Sequence, residues 1–420
     1  MTLAFPNIRL VLVYFAAIAV ALPIAIISTA KLLLLLGALG VLANALFRRS
    51  AGPVRLSGAT PPMILLALAA MAASSAWSTG STDEALSAVV KHGKLILIPA
   101  FLCLVRTRRE ALNALACFVG AQVFLVASTW LLALGLSLPW AKNPAITGSY
   151  AIFSSYLDQS IMTAVLAAMC WHLKTCTPLR HRALFAKLAL VICALALACV
   201  FFVFQGRTGH VVAIALISLT LLWELPRRYR FGGMAIPVAL VALLAIGTGK
   251  GPHGLMEIGN GIEIFNHSGD VSTSSSSIRL NLWHRSLQSI AEHPGWGTGA
   301  GSWGRELNRQ EALHAPATFV RTAANPHQEY LLWGIELGVP GVLLLCGVLA
   351  ALYRDSLLLD QPGRRAMQSV LAALALACLF NCALYDALIG DFFCVALSLT
   401  LALGGRVASP ARGAPVPTGA

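Results

Sequence analysis

The chain has 420 residues, 58% of them hydrophobic and only 11% charged, with a mean hydropathy of +0.77 and a net charge of +13. Soluble domains carry about 25% charged residues, so this chain lacks the polar surface a water-soluble fold needs. In lipid every spanning backbone must satisfy its own hydrogen bonds. Long apolar runs then mean an all-α polytopic membrane protein, and the positive charge is read as membrane topology, not as a nucleic-acid surface.

A span needs about 17–25 apolar residues. Twelve are expected, over 10–27, 32–47, 62–77, 88–105, 111–135, 157–173, 184–204, 210–224, 233–248, 328–352, 366–382 and 386–404. Arg9 precedes the first run, which leads straight into the second, so it is read as a retained signal anchor. Nine spans thus fill 1–248, a polar loop with short helices occupies 249–327, and three more spans fill 328–407. The Pro/Gly/Ala-rich tail 408–420 is expected to be disordered.

Cations mark alternate connections. Arg48, Arg49 and Arg55 fall on one side. So do Arg106, Arg108 and Arg109, then Lys174, Arg180, Arg182 and Lys187. Arg227, Arg228 and Arg230 follow, then Arg354, Arg364 and Arg365, then Arg406 and Arg412. This places both termini in the cytoplasm and the loop 249–327 on the far side. The ten cysteines lie in or beside apolar segments, with no C-x-x-C pair, and are read as packing residues, not disulfides or metal ligands.

Polar groups stand out against this background. Arg207, in Gln205-Gly206-Arg207-Thr208-Gly209-His210, lies between two apolar runs too close together for a real loop. A guanidinium beside glycines suits a phosphate, and equally a snorkelling interfacial cation. Arg279 follows Ser272–Ser277 and opens an amphipathic segment in which Ile278, Leu282 and Arg285 share one face and Arg279 and Trp283 another. That segment suits a ligand contact or a helix lying on headgroups.

His327, in Asn325-Pro326-His327-Gln328-Glu329-Tyr330, precedes an apolar run. There a helix dipole disfavours the imidazolium and leaves a neutral base. The other reading is a helix-start histidine with a satisfied hydrogen bond. The run Gly295–Gly301 has no strand before it, which rejects a nucleotide fold. Its glycines allow close approach to the membrane surface or to a pyrophosphate. Lys91 and Lys94 near one span start, and Asp386 and Asp391 near another, are charges costly to insert in a bilayer.

Together, the dozen spans, the late loop, Arg207-Thr208-Gly209, Arg279 in its Ser-led helix, the stretch His293–Gly301 and the exit motif Pro326-His327-x-x-Tyr330-Leu331 resemble the bacterial O-antigen ligase family. That family sits in a superfamily with O-antigen polymerases and protein O-oligosaccharyltransferases. The resemblance implies a C-type-like membrane glycosyltransferase with one large periplasmic loop, sited in the bacterial inner membrane. It further implies a glycan donor on undecaprenyl pyrophosphate, a lipid A-core acceptor, and no metal or other cofactor. Residue by residue, it makes Arg207 and Arg279 pyrophosphate ligands and His327 the general base. Asp386 is a supporting acid, with Asp391 second. Apart from the resemblance, Lys91 and Lys94 suit attraction of donor or acceptor phosphates, and equally interfacial anchoring, and Tyr330 is a further supporting residue. Many relatives have His-Asn where this chain has His327-Gln328.

A polymerase or protein glycosyltransferase remains the alternative. A transporter of lipid-linked anions is the third reading, and it predicts charges deep in several spans.

Overall fold

A computed structural model describes residues 8–47, 58–176, 182–233, 235–237, 239, 275–314 and 323–404. The expected span 233–248 falls largely outside these residues, as do the first part of the loop and the tail 408–420. Among the described residues the chain forms helices and no strand. They run α1 (Ile8–Ala19), α2 (Ile24–Phe47), α3 (Thr60–Ser74), α4 (Thr82–His92), α5 (Leu97–Leu104), α6 (Arg108–Ala133), α7 (Pro144–Thr147), α8 (Tyr156–Leu173) and α9 (Arg182–Ala198). Then come α10 (Arg207–Glu224), α11 (Arg230–Gly233), α12 (Ser275–Glu292), α13 (Trp303–His314), α14 (Glu329–Leu337), α15 (Val339–Ser356), α16 (Gln361–Phe380) and α17 (Ala387–Leu401).

Among the described residues eight stretches are long and apolar enough to cross a membrane: Ile24–Ala45, Thr60–Trp77, Thr82–Leu104, Arg108–Ala133, Ala183–Val203, Val339–Ser356, Gln361–Phe380 and Ala387–Gly404. The protein is a multi-pass α-helical membrane protein. α8 and α10, also expected as spans, are less apolar because each opens on polar residues. In α8 these are Asp158, Gln159 and Ser160, and they have protein partners. Gln159 donates to Thr129 Oγ1 at 2.9 Å and accepts from the Ile152 amide at 2.8 Å. α8 and α17 are enclosed by the other helices and buried along nearly their whole lengths.

Two expected spans divide. The run 10–27 breaks at Pro23, which starts a new helix as a residue without an N–H can. The run 328–352 breaks at Gly338, where φ is +69° and a Cβ would fall 2.5 Å from the Pro294 carbonyl oxygen. Only glycine fits that backbone. α15 alone, 18 residues or about 27 Å, is long enough to span. α14 is therefore an extra, enclosed helix at one end of the bundle.

The two bundle ends differ in character. At one end the close of α3 and the turn after it meet the glycine run, and α3 also packs on α14. At the other, cations are paired: Arg9, which is buried, with Glu110 at 2.6 Å, Arg108 with Asp360 at 2.6 Å and Arg365 with Glu224 at 2.7 Å. Capping boxes at Ser81 and Thr107 fix the starts of α4 and α6.

Candidate active site

Arg207 stands at a break. α9 ends in a π turn over Cys199–Val203, residues Phe204–Gly206 leave the helix, and α10 begins on Arg207. Its N-cap, Gly206, supplies no side-chain oxygen. An exposed cation on an uncapped first turn opposes the helix dipole, which favours anions there. The flanking glycines have a local use: a Cβ on Gly209 would lie 2.1 Å from Ser160 Oγ and one on Gly206 3.1 Å from it. They let α10 close onto α8, and the guanidinium is left at the helix end.

α12 carries Arg279. The helix begins at Ser275, so the last serines of the run lie inside it. Its buried face is Ser277, Asn281, Leu282, Arg285, Ser286 and Ser289. Asn281 and Arg285 both donate to Glu311 Oε1 on α13, at 2.9 and 3.0 Å. The segment is therefore a packed helix, not one resting on lipid. Arg279 is half-buried on it. Burial first, then the Arg207 charge, hold its guanidinium below its ordinary value.

His327 follows. Its φ of +53° makes it the one non-glycine with positive φ among the described residues. That conformation costs an L-residue on the order of 1–3 kcal/mol and is found at sites the surrounding structure holds in place. Here the Asn325 side chain accepts from the His327 amide at 2.9 Å, and its Nδ2 donates to Asp386 Oδ1 at 3.1 Å. Gln328 then caps α14 by accepting from Leu331 at 2.7 Å, so the amide in the exit motif is a helix cap. Burial, then the Arg279 charge, lower the His327 pKa. Arg279 thus lies within the field of Arg207, and His327 within that of Arg279, although the three are far apart in sequence.

The supporting residues fall around this centre. Lys94 is buried, with Nζ donating to the carbonyls of Tyr385 at 3.1 Å and Asp386 at 2.6 Å. Lys91 is exposed and lies over the Tyr385 ring at 4.3 Å. Asp386 precedes α17, and its side chain meets Asn325. Asp391 pairs instead with Lys31 at 2.6 Å, one turn further along α17. Tyr330 points away into the bundle, its hydroxyl donating to Ala375 O at 3.3 Å.

Several positioning residues escaped the sequence reading. Asn325 is one, and its place two residues before His327 is an Asx-turn signal. Glu329 is another: it is fully buried and accepts from the Leu384 and Tyr385 amides at 2.9 and 3.1 Å and from Trp333 Nε1 at 3.1 Å. Glu336 pairs with buried His92 at 2.8 Å and accepts from the Gly301 amide at 2.8 Å. Two acids on an apolar run were the available signal. Tyr156 and Asp158 also reach the site, within the fields of Arg279 and Asp386 respectively.

Three glycines of the run are used to pack closely against protein backbone. Gly297, Gly299 and Gly301 have positive φ, and a Cβ on them would meet backbone of Ile335, Ser78 and Glu84 at 2.5, 2.3 and 2.4 Å. Its amides are used by protein: Thr298 donates to Ile335 O, Gly299 to Glu336 O and Ala300 to Ser74 Oγ. The run locks α14 to the α3–α4 turn. Among the described residues no group of three His, Cys, Asp or Glu side chains is arranged to hold a metal ion.

The O-Antigen ligase family model matches residues 188–346, a stretch that contains Arg207, Arg279 and His327 and leaves out Lys91, Lys94 and Asp386. No curated protein matches the chain. With its apolar helices and its late polar segment, the chain carries the domain of the O-antigen ligase family over residues 188–346.

Proposed function

We propose that the protein is an O-antigen ligase of the bacterial inner membrane, transferring a glycan from undecaprenyl pyrophosphate to a sugar hydroxyl of lipid A-core. The observation that carries this is the sequence of fields from Arg207 to Arg279 to His327 at one end of the bundle, inside the family-matched segment. Two guanidiniums whose charges oppose each other, one half-buried, are relieved by an anion between them. A pyrophosphate accepts bidentate bonds from both.

In this reading Arg207 and Arg279 hold the donor's pyrophosphate and stabilise it as it leaves, in a partly desolvated site where fixed charges act strongly. His327, kept neutral, takes the proton of the acceptor hydroxyl. The hydroxyl oxygen attacks the anomeric carbon opposite the pyrophosphate, and the bond to the leaving oxygen breaks with inversion. Chemistry carried by two cations and a base needs no metal. Asp386 and Asn325 hold the His327 turn, and Lys94 fixes the backbone from which Asp386 projects. The paired-cation end, with both termini, faces the cytoplasm. The site and the loop 249–327 face the periplasm, with spans 1–248 before the loop and 328–407 after it. The charges gather at one end instead of midway along several helices, which favours surface catalysis over transport.

The lipopolysaccharide of a strain lacking the protein tests this. Bare core with accumulated lipid-linked polymer is expected. Core carrying a single repeat unit marks a polymerase, and an unchanged profile overturns the reading in favour of protein glycosylation or transport.

A further inference from the structure

A cavity of about 490 Å³ lies away from His327 at this end of the molecule. It lies beside the glycine run at the other end of α14, whose nine residues separate the two by about 13 Å. Trp77, Thr79, His293, Arg305, Asn308 and Arg309 line it. Trp296, three-quarters exposed, packs edge-on against Trp77 with ring centroids 6.1 Å apart.

The Trp77 indole and the backbone that carries Trp296 are held in place. Trp77 Nε1 donates to the Trp296 carbonyl at 3.1 Å, Thr79 donates to Thr298 O at 2.9 Å, and Ser78 Oγ to Ala300 O at 2.6 Å. A tryptophan that anchors a protein at the lipid boundary keeps its N–H for headgroups and water. The Trp77 N–H is instead bonded to backbone, and its ring faces a cavity. Arg309 is engaged by Glu292 and Glu306, while Arg305 is exposed. Around the indoles, Thr79, His293 and Asn308 offer both donors and acceptors.

We propose that this cavity is a carbohydrate subsite, binding an oligosaccharide of the transfer reaction remote from the reacting hydroxyl. A pyranose presents an apolar C–H face and a rim of hydroxyls. The Trp77 ring in the cavity wall and the exposed Trp296 ring packed against it match the face, and the polar lining matches the rim. Arg305 favours a saccharide with an anionic substituent. The volume is in the range of ligand pockets, and the clamped backbone lowers the ordering cost of binding. The inference rests on the transferase reading. The same chemistry is met by the acceptor's core sugars and by the donor's glycan.

The test uses the full-length protein in nanodiscs. Two probes are titrated separately by calorimetry: core oligosaccharide freed of lipid A, and O-polysaccharide released from its lipid. Trp296→Ala and Arg305→Gln, both at exposed positions, are compared with wild type, and Trp296→Phe retains an aromatic face. The subsite predicts about tenfold weaker binding of one probe in the Ala and Gln variants, with partial recovery in Trp296→Phe. In the transfer assay KM rises for that same substrate while kcat stays near wild type. Weakened core binding assigns the cavity to the acceptor, and weakened O-polysaccharide binding assigns it to the donor. Unchanged binding of both probes overturns the subsite, and a loss of partition into lipid vesicles instead marks a membrane anchor. If wild type binds a probe through these residues yet transfers nothing, the transferase reading fails and the subsite stands.

Discussion

His327 is asked to do two separable things, remove a proton and occupy a left-handed backbone, and a pair of substitutions separates them. His327→Ala deletes the imidazole but leaves a Cβ at φ +53°. His327→Gly deletes the imidazole and removes that cost. Left-handed backbone costs an L-residue about 1–2 kcal/mol, and glycine's extra unfolded-chain freedom returns roughly 0.5–1 kcal/mol of it. The glycine variant is therefore expected to match or exceed the alanine variant by up to about 1 kcal/mol in stability. Both lose the base, and a positioned base contributes about 10²–10⁴-fold, or roughly 3–5 kcal/mol of barrier. Glycan transfer from lipid-linked donor to core by purified protein, alongside thermal unfolding in detergent, reads both quantities. An alanine variant near wild-type rate removes His327 as base. A glycine variant clearly less stable than alanine refutes the strained-turn argument.

Other consequences follow from the same geometry. Arg207→Lys and Arg279→Lys keep the charge but lose the planar fork, so each should fall at least about tenfold in kcat/KM for the donor; full rescue by lysine would contradict bidentate binding. Burial and the Arg279 charge both push the His327 pKa below its ordinary value of about 6.5, so the imidazole is neutral above that pH and the acid limb of kcat/KM should lie below it. In Arg279→Gln one of the two lowering causes is gone, and the limb should move to higher pH; a limb that stays or falls would exclude the coupling. Gly299→Ala, with φ +91° and a Cβ 2.3 Å from Ser78 Cα, should cost about 2 kcal/mol or more. Gly40→Ala, in open space within α2, should gain up to about 1 kcal/mol, and both are read as unfolding midpoints. Glu336→Ala leaves buried His92 and the Gly301 amide without their acceptor and should cost about 1–3 kcal/mol. Glu336→Gln, which can still accept from the Gly301 amide, should cost less; equal losses would argue against that hydrogen bond.

Much of this was legible because lipid permits few solutions. Apolar runs of spanning length became helices, and Arg207 stood out as a cation between two of them, whereas Arg279 and His327, in the polar loop, drew notice through the resemblance. What stayed hidden depended on contacts distant in sequence. The break at Gly338 is forced by the Pro294 carbonyl, more than forty residues earlier, so 328–352 read as one span and α14 was missed. The glycine run resembled an anion loop because composition shows flexibility but not which acceptors bind its amides. Those acceptors are the Ile335 and Glu336 carbonyls, the Glu336 carboxylate and Ser74. Lys94 looked like a phosphate attractor until its ammonium was found on the carbonyls of Tyr385 and Asp386. Asn325 carried a local Asx-turn signal, but its link to Asp386, sixty-one residues away, could not be read from the sequence.

The central claim is that Arg207, Arg279 and His327 form one transfer site. It is tested most directly by giving purified protein an undecaprenyl-pyrophosphate-linked glycan and lipid A-core, and following both products. The account predicts glycan on the core and stoichiometric release of undecaprenyl pyrophosphate. Both should be lost in His327→Ala and sharply reduced in Arg207→Ala and Arg279→Ala, with each variant still folded. Growth of the lipid-linked glycan with the core left bare, or transfer that survives all three substitutions, would contradict it.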